Sequence, residues 1–384
     1  MIPRFSVDET RGIQQLLAPG CLANVGECVI STGGPVSNTG LSLMKLGWKV
    51  VFMGKVGDDA FGALVRRKMA ERGCEEGIIV DPSAETSYTI ILAPPKSDRV
   101  FLHNPGANDS YCADDLDYAK LEDVRLFHFG YPPLMSRMME NDGEQLVRIF
   151  KGAKERGATT SLDMSLPDPE APAAKVNWER IFERVLPYVD LFLPSAEEMT
   201  LFLNRAEFLR KRAEAARIGK DPLDLFAPEE YSSMSSRILQ YGVGAVTLKS
   251  GFRGYYIRTA DSDRLSRFGR AKVGDIANWA ERELWEPIYT VERIASATGS
   301  GDSSIAGFLA SFLRGESIES ALKYATAAGK QNVLVHDAVS GIKSFEETTA
   351  EMRTWKKAPM KVECPHWVFD STNQLWHGPN DQPR

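Results

Sequence analysis

Ala297-Thr-Gly-Ser-Gly-Asp302 runs straight into Ile305, Phe308, Leu309 and Phe312, four apolar residues at helical spacing. Small residues and glycines therefore lead directly into a buried helix. Such a junction aims the first-turn N–H groups of Gly299, Ser300 and Gly301 outward, with the positive end of the helix dipole behind them, and makes an anion cradle. An acidic residue at a helix start also serves as a cap, so Asp302 has a purely local explanation. The two glycines and the serine crowded before it do not. In a phosphoryl transfer the protein stabilises charge on the transferred group and orients the attacking hydroxyl, and a carboxylate beside an anion hole can do both. Asp302 is accordingly the candidate general base, with Gly299, Ser300 and Gly301 as its anion hole. The stretch is neither the phosphate loop GxxxxGK[ST] nor a strand-GxGxxG-helix dinucleotide unit.

Upstream of this junction the chain alternates between strand and helix. Two short strand-like pieces, Cys21 to Ala23 and Glu27 to Ser31, precede the pair Gly33-Gly34. From there Val36, Gly40, Leu43, Met44 and Gly47 fall along one face of a helix expected to pack on a sheet. The apolar run Trp48 to Gly54 reads as a strand, followed by a helix bearing Phe61, Leu64, Val65 and Met69. Residues 87–93 and 99–102 flank a Pro-Pro-Lys-Ser-Asp turn and predict an inserted β-hairpin, a candidate lid. Strand-like segments at 124–129, 158–163, 189–193 and 245–249 then alternate with amphipathic helices, one carrying Leu146, Ile149, Phe150 and Ala153. Apolar strands separated by such helices predict an α/β fold around a mostly parallel sheet covered on both faces. The basic stretch 204–220 reads as a solvated surface helix. The segment from Trp355 to Arg384 has no clear period and is expected to wrap the body or stay partly disordered.

Composition narrows the partners. The 384 residues are 43% hydrophobic and 26% charged, the balance of a soluble globular protein, and the formal net charge of −6 comes without a sustained basic block. That argues against nucleic acid and against a polybasic membrane patch, and for a small-molecule partner. No stretch approaches the roughly 20 apolar residues of a membrane span, and no signal peptide is legible, which predicts a cytoplasmic protein. The five cysteines (Cys21, Cys28, Cys74, Cys112, Cys364) lack zinc-site spacing and are expected to be buried or half-buried structural thiols. The five histidines (His103, His128, His336, His366, His377) show no HExxH or clustered spacing, against metal-assisted hydrolysis.

Gly33-Gly-Pro-Val-Ser-Asn-Thr-Gly-Leu-Ser-Leu-Met-Lys-Leu-Gly47 and Ala297 to Gly307 together resemble the two signatures of ribokinase-like (PfkB) carbohydrate kinases, in the family's order. Intermediate segments are similar as well: Gly54 to Gly62, Pro194-Ser-Ala-Glu-Glu198 and Thr247-Leu-Lys-Ser-Gly251 with Gly254. The resemblance covers roughly residues 10–345. It implies a Rossmann-like three-layer α/β/α ribokinase fold with a small β-sheet lid. The kinase domain would span 1–350, with lid segments about 14–32 and 86–104, and 351–384 would form a tail. It implies ATP-dependent phosphorylation of a sugar hydroxyl with Mg²⁺. Gly33, Gly34, Asn38 and Asn108 would contact the sugar, where glycine lets backbone approach a ligand and Asn offers both a donor and an acceptor. Ser195, Lys249, Gly251, Gly254 and Asn332 would border the nucleotide. Glu198 would order Mg²⁺ through water, as suits a hard oxygen ligand.

The chain departs from the family pattern at three places. Ser195 stands where the family has Asn, and Ser296 stands where members activated by a monovalent cation have Asp, so the resemblance does not carry that cation dependence over. Members begin with an apolar strand ending in a sugar-binding Asp, whereas Met1-Ile-Pro-Arg-Phe-Ser6 starts past that point. The expectation is a missing interior strand, through a misplaced start or a loss of catalytic competence. A catalytically weak ligand-binding relative and a nucleoside kinase, which shares both signatures, are the competing readings. The lid hairpin offers free edges for a homodimer.

Overall fold

The computed structural model describes residues 1–5, 12–94 and 100–382. The chain divides into a smaller unit, 1–33 with 52–111, and a larger unit, 34–51 with 112–384. The smaller unit holds three two-stranded sheets. Strands β1 (Ile2–Pro3) and β2 (Cys28–Val29) pair antiparallel, β3 (Gly54–Gly57) and β4 (Ile78–Asp81) pair parallel, and β5 (Tyr88–Leu92) and β6 (Val100–Asn104) form the expected hairpin. The predicted turn of that hairpin, at residues 95–98, lies outside the described residues. Both lid segments read from the sequence fall in this unit, which also takes in β3, β4 and the Ala60–Ala70 helix.

Two strand expectations here are corrected. Cys21 to Ala23 forms no strand, and Cys21 and Cys28 are exposed instead of buried. The run Trp48 to Gly54 is not a strand either, because it crosses from one unit to the other. Trp48 and Val50 pack on the larger unit's core, and β3 begins only at Gly54, where β4 supplies a partner.

The larger unit is an α/β fold built, among the described residues, on one eight-stranded sheet. Its strands are β7 (Leu126–Phe129), β8 (Thr159–Leu162), β9 (Leu191–Phe192), β10 (Ala245–Lys249), β11 (Tyr255–Thr259), β12 (Glu283–Glu286), β13 (Val368–Asp370) and β14 (Leu375–His377). They lie in the order β13-β14-β12-β11-β10-β9-β8-β7. Strands β7 to β10 are mutually parallel, as the helix-separated strands predict. The rest of the sheet is antiparallel, which corrects the expectation of a mostly parallel sheet. The physical reason is loop length. Only residues 250–254 separate β10 from β11, and so short a connection can join antiparallel neighbours alone. The segment past residue 350 adds two of these strands and thereby ends in the sheet.

Helices cover the sheet with the predicted apolar faces. Leu146, Ile149, Phe150 and Ala153 are buried, as are Ile305, Phe308, Leu309 and Phe312 of the Ser300–Leu313 helix. The Gly34–Lys45 helix buries Gly40 and Leu43 of its expected face, but that face is wider and shifted from the expectation. Val36 is exposed, while Ser37, Asn38, Thr39 and Ser42 are buried. This helix packs on the Ser300–Leu313 helix, and its polar residues meet hydrogen-bonding groups there. The basic Arg205–Ile218 helix is solvated as expected apart from Lys211, whose buried ammonium bonds Leu225 O (2.6 Å) and Glu230 Oε2 (2.9 Å).

Candidate active site

The larger unit brings the carboxyl ends of the parallel strands together with the start of the Ser300–Leu313 helix. Gly299 caps that helix at φ +77°, a left-handed conformation that favours glycine, and a Cβ there would meet the Ala338 Cβ at 2.6 Å. The Ser300 N–H is not free, contrary to the expectation from the sequence, because the tight Ala297–Ser300 turn gives it Ala297 O (3.3 Å), and the Ser303 N–H donates to Gly299 O (2.9 Å). Gly301 and Asp302 lie between them as first-turn donors. The position of a Gly301 Cβ is 3.7 Å from Lys249 Cε, so the lysine stem runs along the open helix end.

Asp302 is buried, 2% exposed, and its carboxylate is held by neutral donors. The Asn38 Nδ2 donates to Oδ2 (2.8 Å), and the Tyr131 hydroxyl donates to both Oδ1 (2.8 Å) and Oδ2 (3.0 Å). Burial raises the carboxyl's proton affinity above the ordinary value, and the bonds from Asn38 and Tyr131 pull it back only in part. The carboxylate also fixes the Asn38 amide, whose NH₂ must face it. That leaves Asn38 Oδ1 buried without a hydrogen-bond partner among the described residues, an acceptor for a ligand's hydroxyl.

Lys249 closes strand β10 beside Ser195, with which it forms a parallel bridge, and its N–H donates to Pro194 O (2.9 Å). Its ammonium donates to Leu193 O (2.7 Å) and to Asp163 Oδ1, the residue just past β8. Burial works against the lysine's charge, but the Asp163 and Glu198 carboxylates outweigh it and hold the ammonium protonated. Burial pushes Asp163 up, Lys249 opposes this, and Glu198 and Asp302 add to the push. Glu198 belongs to a capping box with Ser195, accepting from the Ser195 N–H (2.6 Å) while the Ser195 hydroxyl accepts from the Glu198 N–H (3.1 Å).

The other sequence candidates are placed as follows. Gly34 opens its helix at φ +75°. Gly251 and Gly254 both adopt positive φ in the β10–β11 turn, and a Cβ on Gly254 would meet Glu286 O at 2.0 Å, which accounts for that glycine by packing alone. Asn332 is fully buried and donates to Ala338 O (2.8 Å), tying the loop after its helix to the Gly299 turn. Gly33 and Asn108 belong to the smaller unit, Asn108 in a 3₁₀ turn. Tyr131 and Asp163 were not among the sequence candidates. Their one signal was position, directly after the apolar strand-like segments 124–129 and at the end of 158–163.

This set can accept a proton from an alcohol at Asp302 and receive an anion at the helix end beside Lys249. Among the described residues no group of three His, Cys, Asp or Glu side chains is arranged to hold a metal directly. Separate buried carboxylates such as Glu198 suit a magnesium ion that keeps its waters and rides on phosphate oxygens.

Comparison with known proteins shows the family of the chain. A family model described as pfkB family carbohydrate kinase matches residues 6–262 and 279–344. An uncharacterized sugar kinase of Archaeoglobus fulgidus is 23% identical over 280 residues, covering 73% of this chain and 89% of that protein. A probable chloroplastic fructokinase-6 of Arabidopsis thaliana is 24% identical over 324 residues, covering 82% of this chain and 72% of that protein. Among solved structures, an Arabidopsis thaliana ribokinase complexed with ribose and ATP superposes with a TM-score of 0.64 at 18% identity, covering 92% of this chain and 94% of that one.

Proposed function

Since this chain belongs to the pfkB family of carbohydrate kinases, we propose that it transfers the γ-phosphoryl group of ATP to a hydroxyl of a sugar, with Asp302 as the general base. The observation that carries this reading is the Asp302 carboxylate, buried among neutral donors at the open end of a glycine-started helix. Asp302 would take the proton of the acceptor hydroxyl as its oxygen bonds to the γ-phosphorus and ADP leaves. Asn38 would hold the base with its NH₂ and receive a sugar hydroxyl at Oδ1. The Gly299–Gly301 turn and the Lys249 ammonium would face the phosphates, with Ser195, Gly251, Gly254 and Asn332 around the nucleotide and Gly34 toward the sugar. Magnesium, carried with ATP and approached by Glu198 through water, would neutralise phosphate charge.

The test is ADP release from ATP and Mg²⁺ across a panel of pentoses, hexoses and nucleosides. Turnover that depends on a sugar is the expected result. Turnover with nucleosides alone would replace the sugar by a nucleoside, and ligand binding without turnover would make the protein a non-catalytic relative.

A further inference from the structure

Tyr131 sits in a conformation that tyrosine rarely adopts. Its φ is +65°, in the left-handed region, between Gly130 and the pair Pro132-Pro133. Gly130 is itself wedged, because a Cβ there would meet the Pro35 side chain at 2.6 Å. The backbone at the end of β7 is thus bent and clamped so that the phenol reaches Asp302. Strain of this kind persists where the surroundings over-determine it, and it clusters at switch and ligand-clamping positions.

The hydroxyl lies almost equally far from the two carboxylate oxygens, at 2.8 and 3.0 Å. One donor shared by both oxygens stands between them, on the side of the carboxylate where its more basic lone pairs point. Asn38 takes a further position on Oδ2. An acceptor hydroxyl that is to give its proton to the more basic side of the Asp302 carboxylate therefore reaches a place the phenol already fills.

We infer that Tyr131 is a specificity-determining residue whose hydroxyl occupies the acceptor seat on Asp302 until a sugar hydroxyl displaces it, so that water does not use the base. The inference rests on the kinase reading of Asp302. A single water can give one hydrogen to Asp302 and the other to at most one further acceptor, such as Asn38 Oδ1. A sugar has several hydroxyls and can offset the lost Tyr131–Asp302 bond with others, including one to Asn38 Oδ1. Without the phenol, water can donate its proton to Asp302 while its oxygen bonds to the γ-phosphorus and the bridging oxygen leaves with ADP. The products are ADP and inorganic phosphate.

The experiment measures ATP hydrolysis without sugar and sugar phosphorylation in the wild type and in Tyr131→Phe. Loss of a hydrogen bond to a charged group should raise sugar-independent hydrolysis about tenfold and lower the sugar KM. A second form replaces Tyr131 by 3,5-difluorotyrosine, which keeps the shape and strengthens the donor. It should hydrolyse less ATP without sugar and show a higher sugar KM, and it decides the matter if Y131F fails to fold. A wild type that phosphorylates sugar, with unchanged basal hydrolysis in both variants, overturns this inference and leaves the kinase reading standing. A wild type that consumes no ATP with any sugar overturns both.

Discussion

Asp302 and Asp381 are two buried carboxylates at different ends of one unit, and their partners drive their proton affinities in opposite directions. Asp302 receives only neutral donors, from Asn38 and Tyr131, and burial carries its proton affinity up. Burial pushes Asp381 up as well, but His377 and Arg282 outweigh it and hold the group below the usual carboxylate range. Arg282 Nε donates to Asp381 Oδ1 (2.8 Å) and His377 Nδ1 meets Oδ2 (2.5 Å). For this pair, the cations at Asp381 hold it ionised as part of the scaffold, whereas the amide and phenol at Asp302 leave it its appetite for a proton. The two cases follow the two halves of the sheet. The parallel strands end at Tyr131, Asp163 and Lys249, while the antiparallel strands are laced by Arg282, Glu319, Asp381 and Lys357 with Glu286.

The comparison breaks most visibly at Asp302. Asp302→Asn should lower turnover about 10²- to 10⁴-fold through loss of the base. Folding should hardly change, because asparagine still suits a helix start. Thermal unfolding beside steady-state kinetics checks both halves, and unchanged turnover would remove Asp302 from the mechanism. The wild-type pH profile sharpens the same point. The base works only when ionised, so the acidic limb of kcat/KM should lie above the ordinary aspartate value of about 3.9.

The opposite result is expected at the scaffold end. Asp381→Ala leaves the buried Arg282 with Glu319 and the Asn278 carbonyl. The cost should fall below the roughly 3–5 kcal/mol of a fully orphaned buried charge, at about 2 kcal/mol. Urea unfolding measures it, and turnover should stay at the wild-type level. A variant that loses turnover while keeping its stability would collapse the distinction between the two carboxylates.

The catalytic end was the more legible of the two, for a physical reason. A glycine-started helix and a Gly-Gly helix start are local backbone requirements, written in consecutive residues, and the two stretches do meet, with Asn38 donating to Asp302 across the helix pair. Tyr131 and Asp163 are single residues placed by the ends of strands, and no neighbouring residue announces them. The polar part of the buried face of the Gly34–Lys45 helix was hidden for a related reason. Its contacts are hydrogen bonds from Asn38 and Thr39, so the apolar pattern that pointed to Val36 did not report them. The last strands were illegible because β13 and β14 are three residues each, too short for a period-two pattern, in a segment of prolines and tryptophans.

The smallest expected effect tests whether the scaffold end depends on charge or on shape. His377, near the end of β14, meets Asp381 through Nδ1 and lies 3.6 Å from Asp370 through Nε2. The Asp381 bond raises its pKa above the ordinary value, against partial burial. A histidine whose folded pKa is raised contributes stability fully present below the unfolded value of about 6.5, and that contribution is lost as pH rises through the folded value. Asp381 is depressed, so its share is present above the unfolded value of about 3.9 and lost as pH falls through the folded one. The β13–β14 hairpin should therefore be held best between these limits. Hydrogen exchange of its amides, corrected for the intrinsic pH dependence, should show protection falling from pH 6 to about 8.5 in the wild type. In His377→Gln, which fills similar space without titrating, protection should be flat over that range. A wild type as flat as the variant would mean that shape alone closes this end of the sheet.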